Sequence, residues 1–351
     1  MNRAFPLLLL IAACLRPSED HVALDAVVGA DSIEGSTLTI DGGLGAIHRL
    51  SADEAVVWAA APIVALDLDP ASTPFTLEVR NVIADSTLTL DGVPVAREAG
   101  DSPPTWGRWV LDGPGRVRVA PADEGERTPY RVAVLSDIQS AIGEVQDIYG
   151  RMNADDSIRF VISTGDLTDN GTFEELLRFQ EEMESLSVPL YSTVGNHEVP
   201  GPENWHDLFG PFSTYFEFRG VAYTLVDSSN ATIDPAEMDQ LGPWLEAHIG
   251  APHLFLTHVP LFDASGLRSG AFRSRNEAAA LVNRLAESEV DALFFGHVHS
   301  YYAYSLGGID SYISGGGGAI EEELDGIGRH YLTVDVDPAE GIQSVGLVRI
   351  E

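Results

Sequence analysis

In five places an apolar run of the chain ends in side chains that bind divalent metals. Val132–Leu135 leads to Asp137 and Gln139, and Phe160–Ile162 to Gly165-Asp166. Tyr191–Val194 leads to Gly195-Asn196-His197-Glu198, Leu254–Leu256 to His258, and Leu293–Phe295 to Gly296, His297 and His299. Carboxylate, amide oxygen and imidazole together suit borderline ions such as manganese, iron, zinc and nickel. Two such ions about 3.5–4 Å apart suit attack on phosphorus. Each segment alone has a plainer reading: Asp137 as the cap of a helix, Gly195-Asn196 as a turn, His258 as a partly buried histidine. His297 and His299, two apart on an extended stretch, point the same way, and Gly296 admits close backbone approach. Taken in order, the five segments read as one two-metal centre.

The elements that must position these groups are short β-branched and aromatic runs without helical period, which read as buried strands. Polar residues just past the carboxyl end of such strands project into the crevice where open α/β sheets bind ligands. Val221–Val226 is a further strand of this kind, leading to Asp227-Ser228-Ser229. Helical spacing marks Thr172–Glu184, with Phe173, Leu176, Leu177, Phe179 and Met183 as its apolar face, and also Asp234–His248 and Asn276–Glu289. The loop Pro260–Arg275 holds Arg268, Arg273 and Arg275. Arginine suits bidentate phosphate recognition, so these three are candidate substrate contacts, with surface ion pairing as the other reading. Ser314 to Gly318 is glycine-rich without a following helical Lys-Ser/Thr signature, and reads as a turn allowing close backbone approach beside the metal rim.

In this order Asp-x-Gln, Gly-Asp, Gly-Asn-His-Glu, a later His and Gly-His-x-His resemble the calcineurin-like metallophosphoesterases, over roughly residues 130–335. The resemblance implies an α/β fold of four layers, two mixed β-sheets flanked by helices. It implies Asp137 and His299 as ligands of a first ion, Asp166 as the bridge, and Asn196, His258 and His297 as ligands of a second. It also makes His197 the acid that protonates the leaving oxygen. The family usually has His where this chain has Gln139. An amide oxygen is a harder and weaker ligand than imidazole, which implies a looser or different first metal. The purple acid phosphatase branch carries Tyr three residues after the bridging Asp; Asp169 stands there, which excludes an iron–tyrosinate centre.

Residues 21–121 are a different object, with short alternating runs split by Gly, Pro, Asp and Ser: Ser36–Ile40, Ile63–Leu68, Phe75–Val82, Ser86–Leu90, Trp109–Leu111 and Val117–Val119. They suggest a small antiparallel β-sandwich domain preceding the catalytic one. Residues 122–129 form the linker to a catalytic domain at 130–351. At the start, Arg3 precedes the apolar run Phe5–Ala13, which is too short to span a bilayer and has the form of a secretory signal. It ends at Cys14, the single cysteine, and so resembles a bacterial lipoprotein signal with Cys14 as the acylated residue. Leu15 and Arg16–Asp20 then read as a tether, and residues 1–20 as anchor segment. One thiol excludes an intramolecular disulfide.

Charge limits the partners. There are 54 acidic residues against 20 basic ones, all Arg, for a formal net charge of −34. Such a field repels polyanions, which excludes duplex nucleic acid as an expected substrate. The sequence therefore predicts an extracytoplasmic, membrane-anchored hydrolase of small phosphomonoesters or phosphodiesters, using two divalent transition-metal ions. Two other readings are a nuclease or cyclic-nucleotide diesterase on the same centre, and a surface binding lipoprotein whose metal site is weakened at Gln139. No segment points to a protein partner.

Overall fold

A computed structural model of the chain describes residues 17–233, 235–266 and 270–350. Cys14 and Arg268 lie outside the described residues, as does Asp234 at the expected start of one helix.

Ala30–Pro121 folds into two facing sheets. One has the order Ala30–Ile33, Ser36–Ile40, Val64–Asp69, Gly115–Pro121, Ser86–Leu90, Val93–Val95, all antiparallel where paired. The other runs Gly45–Leu50, Glu54–Ala59, Phe75–Arg80, Trp106–Leu111, with one parallel pair in the middle. Between them lies a core that includes Leu38, Leu66, Phe75, Leu77, Leu88, Trp109 and Val117. Glu54–Ala59 escapes an alternation-based reading because both of its faces are covered. Ala55, Val57 and Ala59 enter the sandwich core, while Trp58 joins the core of the following domain.

From Tyr130 onward two mixed sheets stack face to face. The first has the order Leu190–Ser192, Ile158–Ser163, Tyr130–Leu135, His330–Asp337, Gly341–Arg349, the first three strands being parallel. The second has the order Thr214–Phe218, Val221–Val226, His253–Thr257, Ala292–Phe295, Ile309–Ser314, Tyr301–Leu306, with four parallel strands in its centre. Alternate residues of a strand point to opposite faces. Val132, Val134, Phe160 and Ile162 therefore meet Tyr223, Leu254, Leu256 and Phe294 between the sheets. Ala133, Leu135 and Val161 pack outward on the helices Gln146–Asn153 and Phe173–Glu182. On the far side Phe255, Leu293 and Phe295 pack on Pro235–Glu246 and Arg275–Glu287. The result is the expected four layers.

One reading needs correction. Phe173–Glu182 starts with a capping box at Thr172 and Glu175, but its buried stripe is Leu176, Phe179 and Gln180, continued by Met183. Phe173 and Leu177 flank that stripe and stay 41% and 39% exposed. Gln180 is drawn inside because its amide donates to the Leu208 carbonyl at 2.7 Å. Pro17–Asp25, which overlaps the stretch read as a tether, is helical, with proline at the first helical position. The helix is docked rather than free. His21 Nδ1 lies 2.5 Å from Asp227, and the Asp25 carboxylate accepts from His206 at 2.8 Å and from the Phe212 amide at 2.9 Å. Among the described residues, no helix is long and apolar enough to cross a membrane.

Candidate metal centre

The ligand-bearing loops leave adjacent parallel strands at one level. Leu135 is paired with Ser163 and Ser163 with Ser192, so Asp137, Asp166 and Asn196 emerge from one edge of the first sheet. Thr257 is paired with Phe295, which brings His258 and His297 out together on the second sheet. The two edges face one another across the sandwich.

The backbone there is held in an unusual state. Of ten non-glycine residues with positive φ among the described residues, four are Asp137 (60°), Gln139 (50°), Asp166 (53°) and His297 (67°). Left-handed backbone costs free energy at such residues and persists where surrounding structure enforces it, often at functional sites. Close approach does the enforcing. A Cβ on Gly195 would lie 2.1 Å from Asp166 Oδ1, and one on Gly296 would lie 2.2 Å from Ser136 Oγ and 2.6 Å from Asp137 Oδ2.

Donor atoms then converge. His299 Nε2 lies 3.5 Å from Asp137 Oδ1 and 3.3 Å from Gln139 Nε2, and Gln139 Nε2 donates to Asp166 Oδ2 at 3.1 Å. On the other side His258 Nε2 is 3.3 Å from Asp166 Oδ2 and 2.9 Å from Asn196 Oδ1. The rings of His258 and His297 cross edge to face at 5.2 Å. Ligand atoms of Asp166, His258 and His297 all lie within 4.8 Å of one another. Asp166 thus touches both halves, as a bridging carboxylate must.

Whether metal fits is decided by the protons. His258 Nδ1 donates to the Thr164 carbonyl at 3.0 Å and His299 Nδ1 to the Ile320 carbonyl at 2.6 Å. A carbonyl only accepts, so in each neutral ring the proton is on Nδ1 and the Nε2 lone pair points into the cluster, the usual arrangement of a metal-binding histidine. Burial first, then the charge of His258, hold the His297 ring down at about 4, so it too offers a lone pair at neutral pH. Burial pulls His258 down as well, but the facing Asp166 carboxylate outweighs it and raises the ring to about 9. In the metal-free chain that proton satisfies acceptors that would otherwise face each other, and a dication can take its place. Burial would raise Asp166, yet the charge of His258 holds its carboxyl well below the usual range. The Gln139 amide nitrogen faces inward; a half-turn presents its oxygen instead. Asp137, Gln139 and His299 on one side, and Asn196, His258 and His297 on the other, with Asp166 between them, form a donor set that suits divalent metal.

His197 stands beside this set. Its amide donates to Asp166 Oδ1 at 2.9 Å, its Nδ1 donates to the Asp169 carbonyl at 2.7 Å, and its Nε2 is 3.9 Å from Asp166 Oδ2. Glu198 belongs to the Gly-Asn-His-Glu motif, yet sequence reasoning gave it no role. It is fully buried and accepts from the amides of Gly195 (2.9 Å), Asp166 (3.0 Å) and Thr168 (3.0 Å). One carboxylate therefore ties two ligand loops together; burial first and the Asp166 charge second push it up to about 7. Ser136, also missed, donates to Asp137 Oδ2 at 2.5 Å. The Ile320 carbonyl that orients His299 had no side-chain signal to betray it.

Arg273 and Arg275 are not brought to the cluster. Arg273 and Arg275 line a cavity of about 610 Å³ with Leu261, Phe262, Phe272 and Leu306, and none of the metal-ligand residues lines it. Among the described residues no guanidinium is hydrogen-bonded to Asp137, Gln139, Asp166, Asn196, His197, His258, His297 or His299. Helix Arg275–Glu287 begins at Arg275, one residue before the expected Asn276, with Ser274 as its cap. Arg275 is thus part of a helix start rather than of a loop over the metals. The glycine run does lie at the rim: Gly317 donates to the Ser136 carbonyl at 2.8 Å and Ala319 to that of Asp137 at 2.9 Å.

Two stacked mixed sheets whose facing edges gather carboxylate, amide and imidazole define the class of metal-dependent phosphoesterases. Residues 130–301 match the family model described as calcineurin-like phosphoesterase, and the chain carries a domain of that family. It is 31% identical over 160 residues to a probable glycerophosphodiester phosphodiesterase of Arcobacter nitrofigilis, a match covering 40% of this chain and 56% of that protein. It is 23% identical over 199 residues to a 3′,5′-cyclic-nucleotide phosphodiesterase of Nostoc, covering 50% of this chain and 74% of that protein. The chain thus spans little more than half the length of the first of these relatives. A dimetal phosphatase from Danio rerio superposes on 63% of this chain and 99% of its own, with a TM-score of 0.42 and 11% identity.

Proposed function

We propose that the chain hydrolyses small phosphodiesters with the help of two divalent metal ions. The observation that carries this reading is the cluster joined at Asp166, three donor residues on either side of one carboxylate. Bound there, the ions supply an activated water and neutralise developing charge on the phosphoryl oxygens. Asp166 holds the His197 backbone amide and the Asp169 carbonyl holds the ring at Nδ1, leaving Nε2 as the atom that can hand a proton to the departing oxygen. Since Nδ1 is committed to a carbonyl, the donor form is the imidazolium. Glu198 keeps the Asp166 and Asn196 loops in register.

Diesters are the preferred reading over monoesters. The phosphodiesterase names of the two curated relatives support this choice. The test is hydrolysis by the purified, manganese- or zinc-supplemented chain: the account expects bis(p-nitrophenyl) phosphate to be cleaved with higher kcat/KM than p-nitrophenyl phosphate. Preference for the monoester would sink the diester reading.

Export and lipid anchoring rest on the Arg3, Phe5–Ala13 and Cys14 pattern. Mass spectrometry of the mature amino terminus checks this proposal: an acylated Cys14 supports it, and an unmodified start beyond Cys14 removes it.

A further inference from the structure

The two most exposed large apolar side chains among the described residues are Ile320, at 84%, and Leu324, at 80%. They sit on one loop, and that loop is bonded to the metal cluster. The Ala319 amide donates to the Asp137 carbonyl at 2.9 Å, the Ile320 carbonyl accepts from His299 Nδ1 at 2.6 Å, and the Glu322 amide donates to the His299 carbonyl at 3.2 Å. Further along, the Ser300 hydroxyl donates to the Asp325 carbonyl at 2.6 Å, and the Gly326 amide to that of Glu322 at 2.9 Å. The backbone is therefore pinned to two ligand residues while two apolar side chains are left in water. Single exposed apolar residues are ordinary; two at the rim of a reactive centre are not.

What covers them follows from charge and reach. Between and beside them stand Glu321, Glu322, Glu323 and Asp325. An anionic bilayer is repelled by such a loop on a chain of net charge −34. A phosphodiester is different: besides the leaving group it carries a second organic group, which has to lie outside the phosphoryl site and offers apolar surface where that group is aryl or alkyl. A side chain at the residue whose carbonyl orients His299 is within reach of that group.

We propose that Ile320 and Leu324 form an apolar lip that selects phosphodiesters whose second ester group is apolar and not anionic. The acidic residues around the lip disfavour esters bearing a further carboxylate or phosphate. This rests on the phosphodiesterase reading above.

The test compares wild type, Ile320→Ser and Leu324→Ser on two diesters with the same nitrophenolate leaving group, bis(p-nitrophenyl) phosphate and methyl p-nitrophenyl phosphate, with metal content measured in parallel. The ratio of kcat/KM for the aryl over the methyl diester should fall by roughly tenfold in each variant at unchanged metal content, the scale of losing one good apolar contact. An unchanged ratio, or an equal fall on both substrates, overturns the lip. If the fully metal-loaded wild type cleaves neither diester, the phosphodiesterase reading itself is wrong and the lip falls with it.

Discussion

At the scale of single residues, what could be read in the chain was the chemistry of side chains, and what could not be read was the work of backbone groups. Asp137, Asp166, Asn196, His258, His297 and His299 declare themselves because each ends an apolar run with a metal-binding atom. The Thr164, Asp169 and Ile320 carbonyls that set the proton positions of His258, His197 and His299 belong to residues of no special type. Arg273 and Arg275 misled for the converse reason: a guanidinium signals phosphate recognition wherever it stands, and only folding shows that these two line another cavity. The role of His197 gives a sharp expectation. His197→Ala should keep its metals and lose roughly 10²–10⁴ in turnover on esters with poor alkoxide leaving groups. Nitrophenyl esters should suffer far less, because nitrophenolate departs unaided. Steady-state rates over a series of leaving groups check this; an equal loss across the series would make His197 a positioning residue.

At the scale of elements, strands were legible where one or both faces gave a clean signal, and obscure where partners outside the element decided burial. Tyr130–Leu135 and Ile158–Ser163 are continuous apolar runs, as parallel strands covered on both faces must be. Gly45–Leu50 and Tyr301–Leu306 were missed, since Gly, His and Arg in the one and a row of tyrosines in the other give no simple alternation. The loops after the strands are set by glycines whose missing Cβ makes room for a neighbour. Gly296→Ala forces a methyl group against Ser136 and Asp137. The expected result is an affinity for manganese lowered by roughly 10–100-fold, the scale of disturbing the support of a ligand. Titration of the metal-free variant would show it, and wild-type affinity would mean that the Asp137 loop yields at little cost.

At the scale of the whole molecule, the amino-terminal sandwich is built into the phosphoesterase domain rather than strung beside it. Ala46 and Trp58 share a core with Leu176, Phe179 and Trp205. Asn81 is buried with φ of 62°, and its amide bonds the Ala59 carbonyl at 2.8 Å and both the carbonyl and amide of Leu190 at 2.8 and 2.9 Å. Leu190 opens the strand that leads to Asn196. Composition could suggest a second domain but not this seam, because a lone Asn in a turn looks like any other turn residue. Asn81→Ala removes three buried hydrogen bonds and puts a Cβ residue of less suitable type in the left-handed region, so a loss of about 2–4 kcal/mol is expected. Chemical denaturation with tryptophan fluorescence measures it; a change below about 0.5 kcal/mol would show the seam to be incidental.

The central claim is that Asp166 joins two metal positions into one reactive centre, and metal stoichiometry coupled to turnover tests it most directly. Metal-free wild-type chain and Asp166→Asn are titrated with manganese or zinc and assayed at each point on bis(p-nitrophenyl) phosphate. The account predicts about two ions per wild-type chain with activity rising in step. Because the metal displaces the proton on His258, binding should release a proton and tighten as pH rises toward about 9. Asp166→Asn should lose both occupancy and turnover by several decades. No bound metal in the wild type after supplementation, or near-normal turnover in Asp166→Asn, would contradict it.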